Sequence, residues 1–408
     1  MDFFYAFLLI FNTSWTLAGI WAIWKIRNRK LAPAPTPPVS VMKPLCGVDP
    51  DLEGNLDTFF HQDHPSYELI FGVQGDADPA IEVVHRLQAK YPHIRSKLVI
   101  HNSRRGMNPK VRNLRAMLPA IRHDVMLISD SNVAVPPHYV REMTTALAEP
   151  GIALVTNLVT VQGDGSLGAT LEAMQLSSFV AAGIATPNEL MNEACVVGKS
   201  MLFRRSVFER LGGFESVAHV LAEDFVMGRM FQRAGYRVRI CPTPVVNVIS
   251  EHSVLSMYQR HLRWGAMRLR AAPHTWLLEF LSIPMVVGLA APLFGVNLWL
   301  GLTWAIGLTL LRDAVQWLQL VGRKHLGRAL LLFPLRDVMH VVLWAGAPFK
   351  RRVSWRGNPL TLSSGSRLYV EGELPTGTLE QGPWGKDTIS TAEGARDRRA
   401  AVGEERSH

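Results

Sequence analysis

The chain has 408 residues, enough for one large domain with additions or for two domains, and its 43 Lys and Arg against 34 Asp and Glu give a net charge of +9. This charge fits an anionic lipid or a phosphate-bearing ligand, whereas the absence of any known nucleic-acid motif makes a nucleic-acid binder the weakest interpretation. The three cysteines (Cys46, Cys195 and Cys241) lie far apart without histidine partners, which argues against a disulfide framework or a zinc site.

The first element is an uncharged apolar stretch, residues 3–24, about long enough to cross a bilayer as a helix, for which ~20 residues are needed. A secretory signal peptide is the alternative, but it would carry its positive charge before the apolar run. Here four basic residues follow the run: Lys25, Arg27, Arg29 and Lys30. The positive-inside rule therefore predicts an uncleaved anchor over residues 1–30, with its amino end outside and the rest in the cytoplasm. Residues 31–38 read as a stiff proline-rich linker.

Residues 39–272 alternate between short β-branched runs and stretches long enough for helices. The predicted strands are 39–43, 68–73, 98–100 and 125–129. Such alternation predicts a parallel sheet covered by helices on both faces. Ligands of open α/β sheets collect at the carboxyl ends of the strands, so candidate site residues fall in three segments: 43–47, 74–78 and 130–132.

A second apolar region, residues 273–349, follows this domain. Its first part, 277–311, has room for two short membrane helices, and 329–349 is predicted to be interfacial or re-entrant. Two crossings keep the basic residues 350–352 on the same side as the domain. The last region, 350–408, is predicted to be a cytosolic basic segment with a tail that is disordered from about residue 370.

Two acidic groups follow predicted strands. In the segment 73–80, Asp76 and Asp78 precede Pro79, and either a ligand contact or a helix cap explains a carboxylate there. In the segment 126–132, Asp130 and Asn132 offer oxygens suited to Mg²⁺ or Mn²⁺ shared with a phosphate, and Asx turns are the alternative.

Two further groups come later in the chain. Glu223 and Asp224 open an amphipathic segment, where one carboxylate is either a general base or a favourable charge at a helix N-terminus. In the stretch 257–270, a helix would place Arg260, Arg263 and Trp264 on one face, suited to a diphosphate or to anionic lipid.

The order of these groups resembles the D, D, D, (Q/R)xxRW signature of inverting GT-A glycosyltransferases, over about residues 38–270. Segments 43–60, 197–215 and 222–225 look closest to the ceramide glucosyltransferase family, and a bacterial member of it is expected. The N-terminal anchor and the C-terminal membrane helices match that layout. The resemblance implies an α/β fold of GT-A type (Rossmann-like, nucleotide-sugar-binding) in the cytosol, flanked by transmembrane helices.

The resemblance also implies roles for individual residues. Asp78, rather than Asp76, contacts the uridine part of the donor, and Asp130 binds the metal and the diphosphate. Asp224 is the catalytic base. Position 132 departs from the family pattern because it is Asn, which weakens the expected metal dependence.

The remaining implied residues bind the donor diphosphate or face the membrane. Arg260 and Arg263 hold the diphosphate, and Trp264 lies at the acceptor or membrane face. Lys110 and Asn113 match a segment near the donor. Cys195 is expected to be a packed thiol.

The implied function is transfer of a hexose, most simply glucose, from a UDP-sugar to a lipid hydroxyl, most simply that of ceramide, with Mn²⁺ or Mg²⁺ as cofactor. The expected partners are the UDP-sugar, the lipid and the membrane, with no nucleic acid, and the oligomeric state stays open. The expected location is the cytoplasmic side of the cell membrane. Three alternatives remain: a hopanoid or other lipid with a different UDP-sugar, a polysaccharide synthase, and a non-catalytic binder of nucleotide sugars or lipid.

Overall fold

The computed structural model describes residues 3–163, 165–249, 253–355 and 358–370. Eleven strands are present in these ranges: β1 (Val39–Pro44), β2 (Tyr67–Gln74), β3 (Ser96–His101), β4 (Val125–Ser129), β5 (Val133–Ala134), β6 (Ile152–Gln162), β7 (Ser200–Arg204), β8 (Arg237–Val248), β9 (Arg352–Trp355), β10 (Asn358–Leu362) and β11 (Leu368–Val370). The first half of the same ranges contributes seven α-helices: α1 (Phe3–Arg27), α2 (Leu52–Phe60), α3 (Ala80–Lys90), α4 (Pro109–Met117), α5 (Tyr139–Leu147), α6 (Leu167–Gln175) and α7 (Ala181–Met191). Seven more follow: α8 (Arg205–Arg210), α9 (Glu223–Arg233), α10 (Val254–Ala271), α11 (Trp276–Leu281), α12 (Pro284–Leu289), α13 (Leu298–Leu320) and α14 (Leu326–Gly346).

Eight strands form one sheet in the order β3-β2-β1-β4-β7-β6-β8-β5. The four predicted strands are confirmed as β1 to β4, and they pair in parallel. The expectation of a parallel sheet is wrong for the other half, because β7 is antiparallel to both β4 and β6, and β5 is antiparallel to β8. The sheet is therefore mixed. Alternation of strands and helices in a sequence does not encode the direction in which each later strand enters the sheet.

The sheet separates two hydrophobic cores. Along β1, Val41 belongs to one buried cluster and the adjacent Met42 to the other. The same holds along β4 for Leu127 and Ile128. Successive strand residues point to opposite faces, and both faces here are covered by helices, so the strands read as continuous apolar runs rather than alternating ones.

The predicted N-terminal anchor is one helix, α1, long and apolar enough to cross a membrane. Its basic end is fastened to the sheet domain. Lys25 and Arg29 form ion pairs with the buried Glu189 of α7, at 3.1 and 2.5 Å, and Arg27 donates to the carbonyl of Pro242 at 2.6 Å. The carboxyl end of the anchor therefore lies against the sheet domain.

A helical insertion, residues 167–191, separates β6 from β7 and was not predicted from the sequence. It consists of α6, a π-helical turn (Leu176–Val180) and α7. By length and composition alone it could cross a membrane. Both strands that flank it belong to one sheet, so the chain leaves and re-enters the domain on the same side, and most of the insertion is buried against α1, α10, α13 and α14.

Residues 277–311, for which two short membrane helices are predicted, hold the start of one long helix, α13, and shorter elements before it. The segment before α13 is broken into α11, α12 and a short 3₁₀ turn (Ala291–Phe294). Pro284 and Pro292 each lack the N–H that continues a helix, and Gly295 takes a left-handed conformation, with φ 70°.

The last long helix, α14, touches the sheet domain and its insertion along its length. Arg328 donates to the carbonyl of Gly165 near its start, and Gln175 bonds His340 at 2.8 Å further along. The interfacial or re-entrant placement of residues 329–349 stays a prediction. By length and composition α14 could also cross a membrane, so the number of crossings and the domain boundaries remain predictions.

Within the predicted basic segment that precedes the tail, β9, β10 and β11 form a small antiparallel sheet in the order β11-β10-β9. The turn before β11 binds the segment that precedes α9: Ser366 accepts hydrogen bonds from the backbone N–H groups of Leu221 (2.9 Å) and Ala222 (3.1 Å). The predicted disordered tail, residues 371–408, lies outside the described residues.

The packing of α12 on α13 leads to a first prediction. A Cβ added at Gly301 would collide with the backbone oxygen of Gly288 and lie 2.6 Å from the Cβ of Ala291, whereas nothing lies within 4 Å of a Cβ at Gly307 on the same helix. Alanine normally favours a helix interior over glycine by about 1 kcal/mol. We expect Gly301→Ala to lower the thermal midpoint of the detergent-purified protein, while Gly307→Ala leaves it equal or higher. Equal midpoints for the two variants would contradict this packing.

Candidate active site

A cavity of about 1950 Å³ opens at the carboxyl ends of β1, β2 and β4 and continues between α1, the helical insertion and the C-terminal helices. Its walls include residues from all three predicted segments after strands, namely Pro44, Leu45, Cys46, Gln74, Asp130, Ser131 and Asn132. Of the described residues that line it, twelve are Lys or Arg and six are Asp or Glu, so the cavity favours an anion. Its other end is lined by aromatic and aliphatic residues such as Phe11, Trp15 and Phe179.

Lys110, in the first turn of α4, joins the acidic groups of this cavity. Its ammonium lies 2.8 Å from a carboxylate oxygen of Asp130 and 3.2 Å from one of Glu223, and it donates to the carbonyl of Gly198 at 2.8 Å. Burial opposes the charge of Lys110, but the two carboxylates outweigh that cost and raise its pKa. Lys110 therefore stays protonated and holds three separate chain segments together.

Asp130, directly after β4, is surrounded by ammonium groups. Lys199 lies 3.5 Å from its carboxylate, and Lys43 donates to its backbone carbonyl at 2.5 Å. Burial alone would raise the pKa of Asp130, but Lys110 and Lys199 reverse that effect and lower it to about 2. Lys199 also donates to the side-chain oxygen of Asn132 at 2.8 Å. Asp130 is therefore a carboxylate at every physiological pH.

Glu223 and Asp224 open α9 at the cavity wall. Asp224 accepts a 2.7 Å hydrogen bond from the backbone N–H of Gly198, where an added Cβ would lie 2.8 Å from the same carboxylate oxygen. Glycine at 198 is therefore required for this close approach. Burial raises the pKa of both acidic side chains, and Lys110 opposes the rise in each case. A buried carboxylate with a raised pKa is a stronger base than one in water.

Arg260, Arg263 and Trp264 line the cavity from α10. Among the described residues, Arg263 has no carboxylate within ion-pair distance, and burial, followed by the charge of Arg260, lowers its pKa. Trp264 packs edge-on against His261, with ring centroids 5.0 Å apart. A half-buried guanidinium without a carboxylate partner has its donors free for an anionic ligand.

Glu172 of α6 contacts the middle of α10. It is fully buried, and its two carboxylate oxygens lie 3.4 Å from a guanidinium nitrogen of Arg260 and 3.0 Å from Nε2 of His261. His261 in turn packs against Trp264. One carboxylate from the helical insertion therefore contacts Arg260, the first residue of the RxxRW motif, and its neighbour His261.

Asp78 lies beside the cavity and does not line it. Its carboxylate accepts hydrogen bonds from the backbone N–H groups of Gly47 (3.0 and 3.1 Å) and Ala80 (2.9 Å), so it fixes the loop after β1 and starts α3. Asn113 lines the cavity and donates to the carbonyls of Leu45 and Gly72 at 3.1 and 2.8 Å. Both residues hold the β1 end of the cavity in place. A direct contact of Asp78 with uridine stays a prediction.

The fit of a divalent cation depends on Asp130. No group of three or more His, Cys, Asp or Glu side chains arranged to hold a metal is found in the described part of the chain. Mg²⁺ and Mn²⁺ sites in nucleotide-dependent enzymes often use one or two carboxylates and complete their shell with phosphate oxygens and water. Asp130 faces the cavity and supplies one carboxylate of that kind, which in this structure is paired with Lys110 and Lys199.

Comparison with known proteins decides the family. The glycosyl transferase family 21 model matches residues 7–368. Ceramide glucosyltransferases 1 and 3 of Caenorhabditis elegans are 29% and 28% identical over 363 and 360 residues, which is 86% and 85% of this chain and 77% of each relative. Among solved structures, the mannosyltransferase PcManGT from Pyrobaculum calidifontis, in complex with GDP-Man and Mn²⁺, is 19% identical, with a TM-score of 0.49 over 85% of this chain and 97% of that one.

The chain belongs to glycosyl transferase family 21. The resemblance to the ceramide glucosyltransferase family is confirmed, and the chain is a glycosyltransferase with a mixed α/β sheet and helices long enough to cross a membrane at both ends. A bacterial source remains a prediction.

Sequence reasoning missed two side chains of this family 21 site. Lys199 occupies the position between Asp130 and Asn132 that was assigned to a cation. The sequence offered one signal for Glu172: it is the lone acidic residue among apolar neighbours in the segment LGATLEAMQ. Cys195 is half-buried and lines the cavity, and burial raises its pKa to about 12.

The contacts of Glu172 lead to a second prediction. Because this carboxylate orients Arg260, we expect Glu172→Gln to lower kcat/KM for the sugar donor about tenfold, which corresponds to ~1.4 kcal/mol. In an Arg260→Ala background the same change should cost less than about twofold, because residues in contact are not additive. Steady-state kinetics on the wild type, the two single variants and the double variant measure the coupling energy between Glu172 and Arg260.

Glu189→Gln is the matched control for that cycle. Glu189 belongs to the same helical insertion and is also a buried ion-paired carboxylate, but its partners are Lys25 and Arg29. We expect it to lower the thermal midpoint and to leave the donor KM unchanged. An equal loss from Glu172→Gln with and without Arg260 would contradict the positioning role.

Proposed function

We propose that this protein transfers glucose from UDP-glucose to the primary hydroxyl of ceramide, giving a β-glucosylceramide. The names of its relatives support the sugar and the acceptor. The observation that carries the proposal is the two-ended cavity, in which basic side chains line the sheet end and aromatic and aliphatic side chains line the other. A nucleotide sugar and a lipid match these two ends in charge and polarity.

Asp224 is the proposed catalytic base. Its raised pKa and its place in the cavity wall suit a group that removes the proton of an attacking hydroxyl. As that oxygen forms a bond to the anomeric carbon, the bond from this carbon to the diphosphate oxygen breaks on the opposite side, and UDP leaves with the electron pair. A single in-line displacement inverts the configuration, so an α-linked donor gives a β-glycoside.

The departing diphosphate requires positive charge. Arg260 and Arg263 lie at the cavity from α10, and Lys110 and Lys199 lie at Asp130. Preorganised donors of this kind stabilise a leaving group as its charge develops. A divalent cation bound by Asp130 together with the phosphate oxygens would supply further Lewis-acid stabilisation.

We further propose that the catalytic domain, about residues 39–272, faces the cytoplasm. The basic ends of α1 and α13 meet, since Arg27 donates to the carbonyl of Gln319 at 3.2 Å and Arg323 and Lys324 follow α13. Both basic clusters therefore lie on the side of the sheet domain, which is the cytoplasmic side by the positive-inside rule.

A third prediction tests the reaction and its base together. Detergent-purified protein, assayed with radiolabelled UDP-glucose and short-chain ceramide with and without Mn²⁺, is expected to form a β-glucoside. Asp224→Asn should reduce kcat by at least about 100-fold, because general-base catalysis typically contributes 10²–10⁴-fold.

Asp124→Asn is the control for that assay, because Asp124 lies before β4 outside the cavity lining and caps the start of α8 through Ser206. It should leave kcat close to wild type. If the protein hydrolyses the donor but forms no lipid product, ceramide is not its acceptor, and the proposed acceptor becomes another lipid, such as a hopanoid. No consumption of UDP-glucose or UDP-N-acetylglucosamine would overturn the transferase proposal in favour of a non-catalytic binder.

A fourth prediction concerns pH. Asp224 must be deprotonated to accept a proton, so kcat/KM should fall as the pH drops through the pKa of Asp224. Because burial raises this pKa, the fall should occur at a pH above ~3.9, the usual value for an aspartate. Asp130 contributes nothing to this limb because its pKa is about 2. Asp224→Asn should lack this limb in its residual activity, whereas Glu223→Gln should keep it. A limb that persists in Asp224→Asn would contradict the assignment.

A further inference from the structure

Lys199 lies directly opposite Asp130 in the sheet. Strand β7 runs antiparallel to β4 with Ser200 paired to Ser129, so Lys199 and Asp130 are the next residues in the same register. The backbone N–H of Asp130 donates to the carbonyl of Lys199 at 3.4 Å. The backbone of the sheet therefore fixes a lysine beside the carboxylate that the resemblance to glycosyltransferases assigns to a metal.

The ammonium of Lys199 reaches both side chains that offer oxygen atoms to a cation in this segment. It donates to the side-chain oxygen of Asn132 at 2.8 Å and lies 3.5 Å from a carboxylate oxygen of Asp130. A divalent cation bound between the same two oxygens would share both ligands with the ammonium, and positive charges on shared ligands repel each other. Lys199 and a divalent cation therefore compete for the position between Asp130 and Asn132.

Lys199 is accessible from the cavity. Its side chain is 13% exposed and lines the cavity, as do Asp130 and Asn132. An ammonium has three N–H donors, and the hydrogen bond to Asn132 uses one of them. The 3.5 Å separation from Asp130 is an ion pair that exceeds the usual length of a hydrogen bond. Donors therefore remain for the oxygens of a phosphate group that enters the cavity.

Two further ammonium groups contact Asp130. Lys110 lies 2.8 Å from its carboxylate, and the fully buried Lys43 donates to its backbone carbonyl at 2.5 Å. The single negative charge of Asp130 is thus shared among three positive groups. Another cation gains little from such a carboxylate, whereas the negatively charged diphosphate of a nucleotide sugar is attracted by the same three groups.

We propose that Lys199 binds the donor diphosphate in place of a divalent cation, so that this protein binds its donor without metal. This inference rests on the proposed function and specifies how its donor is held. The ammonium of a lysine is a point charge that binds phosphate oxygens, and at this position it also stabilises the charge that develops on the departing UDP. Donor binding then needs no divalent cation, although Mn²⁺ bound by the phosphates can still raise the rate.

The test measures UDP binding to the detergent-purified protein by isothermal titration calorimetry, once in EDTA and once in Mn²⁺. Wild-type protein should bind UDP in EDTA with a Kd within about threefold of the value in Mn²⁺, a difference smaller than the effect of one hydrogen bond to a charged group. Lys199→Met should weaken binding in EDTA about tenfold or more, because such a hydrogen bond is lost. Lys199→Arg keeps the charge and should restore binding in EDTA.

Two results of this titration would overturn the proposal. One is a wild-type protein that binds UDP only when Mn²⁺ is present. The other is a Lys199→Met variant that binds UDP in EDTA as tightly as the wild type does.

Binding of Mn²⁺ itself gives a second measurement, followed by the EPR signal of free Mn²⁺ at a fixed excess of UDP, with UDP alone as the baseline. Because Lys199 and the metal compete, Lys199→Met should bind Mn²⁺ more tightly than the wild type. Adding Asn132→Asp to Lys199→Met supplies a second carboxylate and should tighten the binding further, since affinity rises with the charge of the ligands. Equal Mn²⁺ affinity in the wild type and Lys199→Met would overturn the proposal.

Lys25→Met is the matched control, since Lys25 also pairs with a carboxylate, that of Glu189 at 3.1 Å, but does not line the cavity. It should leave UDP binding in EDTA unchanged. UDP binding that depends on Lys199 and not on metal, without sugar transfer to any lipid, would support this inference and overturn the proposed function. Sugar transfer by a wild-type protein that needs Mn²⁺ to bind UDP would support the function and overturn this inference.

Discussion

The ion pairs of Lys110 are the interaction on which the rest of the site depends. One protonated ammonium binds the end of β4 through Asp130, the start of α9 through Glu223 and the loop before β7 through Gly198. Without it, Asp130 would keep Lys199 within ion-pair distance, but Glu223 and Asp224 would have no such cation among the described residues. With it, Asp130 is kept ionised while burial raises the pKa of Asp224. The pKa values of these two acids are shifted in opposite directions, which suits Asp130 to act as a permanent charge and Asp224 to act as a base.

The helical insertion between β6 and β7 links the two ends of the cavity. Glu172 in its first half orients Arg260 and His261, and Phe179 in its π-helical turn lines the apolar end. Such π-helical turns often occur at functional sites because they shift side chains out of the regular helical register. The donor side and the acceptor side of the cavity thus share one structural element. A displacement of this insertion would alter both ends together.

Local patterns predicted what depends on local sequence. β1 to β4 followed from β-branched runs, and Asp130, Asp224 and the RxxRW arginines followed from their order along the chain. The insertion escaped prediction because buried polar residues such as Glu172 and Gln175 interrupt its apolar pattern, and their partners on α10 and α14 come roughly 90 and 165 residues later. Lys199 escaped because its role depends on the antiparallel pairing of β7 with β4, which sequence alternation does not reveal. The sheet of residues 352–370 is short and gains its stability through contact with the segment before α9.

The charge of the cavity changes from one end to the other, and this difference can sort the two substrates. At the sheet end, Arg263 has no carboxylate partner in the described chain, and Lys199 and Arg260 lie nearby. At the other end, Arg312 and Arg336 are neutralised by Asp313 and Asp337 within the helix pair. A diphosphate is therefore stabilised only at the first end, and a neutral lipid loses nothing by entering the second. In the proposed reaction the lipid hydroxyl reaches Asp224 from the apolar end, and each substrate binds at the end of the cavity that matches its charge.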